Sequence, residues 1–75
     1  MTSKDKKIIE DSEAKGIPIF VLTAKDICSY RTLLAYRQEC VKNDCDGLHV
    51  ENVANRISEF RDWQIENENL VKIPD

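Results

Sequence analysis

Residues 17–22, Ile-Pro-Ile-Phe-Val-Leu, carry the one strong strand signal in a chain of 75 residues. Every residue of a strand presents an amide and a carbonyl that need partners, and an apolar strand left alone invites aggregation. The rest of the chain reads mainly as two amphipathic helices. The missing partner must therefore be the short C-terminal tail or another copy of the chain. Proline is tolerated at the first residues of a strand or on an edge, so Pro18 leaves one side unpaired early on. The run is apolar on both of its faces, the pattern of a strand covered from above and below. The expected fold class is α+β: one short N-terminal strand followed by an antiparallel pair of α-helices, completed by oligomerisation.

Residues 1–16 mix charge with one apolar pair, Ile8-Ile9, and end at Gly16. They read as a mobile arm holding at most one helical turn, ahead of a single small domain over residues 17–75. After the strand, Thr23-Ala24-Lys25-Asp26 has the spacing of a capping box, and Ser29 is a second candidate cap. The first long helix then starts near Tyr30. Its stripe of Tyr30, Leu33, Leu34, Arg37, Cys40 and Val41 recurs at three- and four-residue steps. Asn43-Asp44-Cys45-Asp46-Gly47 breaks it, with Gly47 available for a positive φ. A second helix runs from about His49 to Glu66, with Val50, Val53, Ala54, Ile57, Phe60 and Gln64 in its stripe and Trp63 beside it. The short connection makes the two helices antiparallel neighbours. The tail, Asn69 to Asp75, forms either a short strand beside residues 18–22 or a strap over the helices.

A chain this short buries a modest share of its surface and often needs a metal, a disulfide or a partner subunit. Typical stability for the size is roughly 4–11 kcal/mol. The composition, 41% hydrophobic and 33% charged, is that of a folded chain rather than a disordered one. The net charge of −3 offers no positive field for long nucleic acid, though it leaves room for one anion in a local basic pocket. No apolar run approaches the ~20 residues that span a bilayer, and the first residues lack the apolar core of a secretory signal. Three cysteines, an odd number, point to free thiols in a reducing compartment, so the cytoplasm is expected.

Cys40, Cys45 and His49 have a Cys-x4-Cys-x3-His spacing, but a structural zinc site wants a fourth ligand and the sequence places none nearby. No metal or cofactor is expected. His49 is the only imidazole and nothing in the spacing brings it to a thiol or hydroxyl, so nucleophilic catalysis has no support. Glu51, Glu59, Glu66 and Glu68 read as a solvated helix face, and Arg56 and Arg61 as ion-pair partners for carboxylates. Trp63 reads as an anchor of the core or of a subunit contact.

The junction after the strand is the best remaining place for function. Thr23, Lys25 and Asp26 lie where a rigid element meets a helix start, a common position for ligands. Tyr30, Arg31, Tyr36 and Arg37 follow on the first long helix. Arginine offers a planar fork for phosphate, and tyrosine a stacking surface with a polar tip. The plain alternative is that Tyr36 is core and the two arginines are ordinary surface charges.

Residues 19–26, Ile-Phe-Val-Leu-Thr-Ala-Lys-Asp, then Tyr36 with Cys40, Phe60 with Trp63-Gln64, and Leu70-Val71-Lys72-Ile73-Pro74-Asp75 together resemble a group of very small bacteriophage and prophage proteins. That group often carries proline where this chain has Arg31, which leaves the start of the first long helix open. Phage proteins of this size commonly act by binding. One class, the anti-defence sponges, oligomerises and sequesters the nucleotide signals of bacterial immune systems such as CBASS and Thoeris. The resemblance implies a non-enzymatic homo-oligomer in the host cytoplasm that holds a small cyclic nucleotide between subunits. Lys25, Arg31 and Arg37 would bind phosphate, and Tyr30 or Tyr36 the base. The alternative is an interaction module that docks on a host or phage protein through its strand edge and Trp63.

Overall fold

The computed structural model describes residues 3–74, and among them there are three helices and no strand. Helix α1 spans Ser3–Lys15, α2 spans Ser29–Lys42 and α3 spans Gly47–Glu66. The expected α+β class is therefore wrong: this is an all-helical chain.

Residues 17–22 lie outside regular structure and no ladder runs beside them among the described residues. The tail does not pair with them either. It makes a single parallel bridge one turn later, between Asp26 and Lys72. There the Lys72 amide donates to the Lys25 carbonyl at 2.9 Å and the Ile27 amide to the Lys72 carbonyl at 3.0 Å. Strand propensity needs a second strand to act on, and the tail's backbone is engaged elsewhere. The run is not covered on both faces: Ile17, Ile19, Phe20 and Val21 are all exposed.

Residues 3–15 make a full 13-residue helix where the sequence predicted one turn at most. Gly16 ends it with φ of 69°. Its amide donates to the Glu13 carbonyl, and the Ile17 amide reaches back to the Ser12 carbonyl at 2.9 Å. These crossed bonds form a Schellman motif, which wants a left-handed residue at the position of Gly16. The same motif closes α2, with Asp44 at φ 56° where the sequence reading had offered Gly47. Two opposite substitutions test this pair. Gly16→Ala should cost about 1 kcal/mol in urea unfolding, because left-handed backbone strains any Cβ while no atom lies within 4 Å of the added carbon. Asp44→Gly should gain about 0.5 kcal/mol, strain relief less the added freedom of the unfolded chain.

Asp46 caps α3, its carboxylate accepting from the Leu48 amide at 2.8 Å, so the helix starts two residues earlier than the stripe indicated. Helices α2 and α3 pack together as an antiparallel hairpin. Tyr36 meets His49 near the connection, and Ser29 meets Gln64 at the far end. Helix α1 approaches neither of them closely along its backbone. Its Asp5 pairs with Arg56 of α3 at 3.0 Å, a solvent-exposed contact worth little by itself. Arg56 also pairs with Glu59, and Arg61 with Asp62.

The core is small. Cys40, Val53 and Ile57 are its only buried hydrophobic residues among those described. The accessible surface is 6238 Å², against about 4,700 Å² for a folded monomer of 8.7 kDa. The radius of gyration, 13.7 Å, likewise exceeds the roughly 11 Å of a compact domain this long. Among the described residues no helix is long and apolar enough to cross a membrane.

Candidate functional site

The junction of residues 23–29, the leading candidate in the sequence, is a hydrogen-bonded knot. Asp26 sits at its centre. Its carboxylate accepts from the Cys28 amide at 2.7 Å. Its carbonyl accepts from the Ser29 amide at 3.0 Å, from the Ser29 hydroxyl at 2.7 Å and from the Gln64 side-chain amide at 3.2 Å. Gln64 also donates to the Ala24 carbonyl at 3.1 Å and lies 3.3 Å from the Ser29 hydroxyl oxygen. Ser29 is completely buried. Buried polar groups need such partners, and one α3 side chain supplies several of them. The amides that a ligand would have used are thus largely taken up within the chain.

The seven candidate residues do not form one cluster. Thr23 lies on the rim of a groove between α1 and the hairpin, its carbonyl accepting from the Asp26 amide. Asp26 serves the knot, and Lys25 is exposed with its carbonyl on the tail. Tyr30 lines a second, shallower groove with Ile27, Arg61, Gln64 and Val71. Arg31 and Tyr36 stand about 140° apart around α2. Arg37 is about 12 Å along the axis from Ser29. One property does unite the cations: Lys25, Arg31 and Arg37 are exposed and form no ion pair among the described residues.

Tyr36 belongs to a different group, at the connected end of the hairpin. Its hydroxyl lies 3.1 Å from His49 Nε2, with the two rings edge to face. The neighbouring Cys40 thiol, followed by desolvation, holds the Tyr36 pKa above the ordinary tyrosine value. The Cys45 thiol is raised as well, first by desolvation, then by the neighbouring Cys40 thiol and the nearby charge of Asp44. A raised thiol pKa lowers the thiolate fraction of Cys45 at neutral pH, so it reacts slowly there and faster as the pH rises. Among the described residues no group of three or more His, Cys, Asp or Glu is placed to hold a metal ion.

The larger groove is what the sequence reading missed. It has a volume of about 710 Å³ and is walled by Ile8 and Ile9 of α1, Phe20 and its neighbours, Leu33 of α2 and Phe60 of α3. Phe20 is 84% exposed, Val21 62% and Ile17 54%. The Asp5–Arg56 pair lies along the same groove. The signal in the sequence was Ile8-Ile9 followed by Ser12, one face of a helix that looked like an arm. Trp63, by contrast, is half-buried, and its carbonyl accepts the amide and side chain of Asn67 at the end of α3. Comparison with protein-family models, curated proteins and solved structures found no match.

Proposed function

We propose that this chain is a non-catalytic binding protein that works as a homo-oligomer, with the groove between α1 and the hairpin as its contact surface. The observation that carries this reading is the excess surface. A chain of 8.7 kDa with 6238 Å² accessible exposes about 1,500 Å² more than a folded monomer of that mass. Covered in two copies, that excess matches the 2,000–5,000 Å² that obligate homodimers bury. The exposed residues Ile8, Ile19, Phe20 and Val21 line the groove, and apolar patches of this kind mark interaction sites. A second copy is the partner because both sides of the contact then hide the same apolar surface.

A second reading concerns what such an oligomer holds. Three exposed cations without ion-pair partners, on a chain of net charge −3, favour a small anion gathered between subunits. A cyclic nucleotide is the ligand class implied by the likeness to phage sponge proteins. Thermal unfolding separates the two layers. Self-association predicts a Tm that rises with protein concentration, and nucleotide binding predicts a further rise with one nucleotide of a cyclic di- and trinucleotide panel. The added rise should be lost in Lys25→Ala with Arg37→Ala. A Tm indifferent to concentration contradicts the first reading; a flat nucleotide panel contradicts the second alone.

A further inference from the structure

The end of α2 fixes which residues meet across it. With Asp44 left-handed, the Asp44 amide donates to the Val41 carbonyl at 3.1 Å and the Cys45 amide to the Cys40 carbonyl at 2.9 Å. In this Schellman geometry the residue just past the helix folds back over the last turn, and an apolar pair usually fills the contact. Here both places are cysteines. Ordinary backbone bond lengths and that one hydrogen bond limit the Cα atoms of Cys40 and Cys45 to about 6.8 Å apart. Disulfides span Cα separations of roughly 4.4–6.8 Å. The two thiols also perturb one another, Cys40 helping to hold the Cys45 pKa above its ordinary value. Cys40 is 3% exposed, whereas Cys45 faces solvent.

We propose that Cys40 and Cys45 form a modification site, a dithiol that closes reversibly to an intrachain disulfide when it meets a low-molecular-weight disulfide. Cys45, the accessible thiol, loses its proton and attacks one sulfur of the small disulfide. A mixed disulfide forms at Cys45 and the first small thiolate leaves. Cys40 then gives up its proton and attacks the Cys45 sulfur, expelling the second small thiolate. The two departing thiolates take up the two protons. The protein is oxidised by two electrons, and the small disulfide is reduced to two thiols. The buried position of Cys40 protects it from the reagent but not from its neighbour. Closure staples the end of α2 to the connection that leads into α3.

The test uses the full chain with the third, exposed cysteine removed as Cys28→Ser, treated with oxidised glutathione and weighed intact. The expected product has lost two hydrogen atoms and carries no glutathione. Trypsin cuts after Lys42, between the two cysteines, so residues 38–42 and 43–56 should travel as one species until dithiothreitol separates them. Adding Cys40→Ser should instead trap one glutathione on Cys45. A stable glutathione adduct on Cys45 in the presence of Cys40 would overturn the proposal, as would two free thiols after treatment. The same peptide map on the unsubstituted chain guards against an effect of Cys28→Ser on folding.

Discussion

In the proposed homo-oligomer, Phe20→Asp should leave a monomer at micromolar concentration, raising the dissociation constant at least ~100-fold. Phe20 is the most exposed large hydrophobic residue described, and it lies outside every helix. Burying a phenylalanine is worth about 1.5–3 kcal/mol, and a two-fold symmetric contact contains it twice. The carboxylate adds the cost of desolvating a charge with no partner. Because no hydrogen bond of the helices depends on this side chain, the circular dichroism of the monomer should keep its helical signature. A variant that associates as tightly as the natural chain would place the contact elsewhere.

Gln64→Met should cost about 2 kcal/mol of stability, roughly a 10 °C fall in Tm at fixed protein concentration. Methionine keeps the volume and removes the donor. Gln64 ties α3 to the Ala24 and Asp26 carbonyls and to the hydroxyl of fully buried Ser29. Net hydrogen bonds contribute about 1 kcal/mol each, and an acceptor left buried without a donor costs more than the mean. Against the small core of Cys40, Val53 and Ile57, that loss is a large share of the whole. A Tm within a degree or two of the natural chain would show that water replaces the amide at no cost.

The hairpin was legible in the sequence, and the two ends of the chain were not. Leu33, Arg37 and Cys40, and then Val53 and Ile57, recur at helical spacing, and Asn43 to Gly47 reads as a break, so α2, α3 and their antiparallel arrangement follow from local rules. Arg56 and Arg61 do pair with carboxylates, and Glu51, Glu59 and Glu66 do face solvent. Residues 17–22 misled because β-propensity describes how a residue suits a sheet, and no second strand stands beside them among the described residues. Helix α1 was hidden by its charge: Ile8, Ile9 and Ser12 make a narrow stripe among lysines and carboxylates. Gln64 looked like one more stripe position, since its role depends on where Asp26 and Ser29 arrive in space. The candidate site suffered from the same gap. Arg31 and Arg37 stand about 120° apart around α2, Lys25 lies ahead of that helix, and Asp26 holds the junction itself.

Sedimentation equilibrium of the natural chain across a concentration series tests the central claim most directly. The account predicts a defined multiple of 8.7 kDa that dissociates only on dilution, because the apolar surface around Phe20 is satisfied by a second copy. A single 8.7 kDa species at every concentration, with the helices intact, would contradict it.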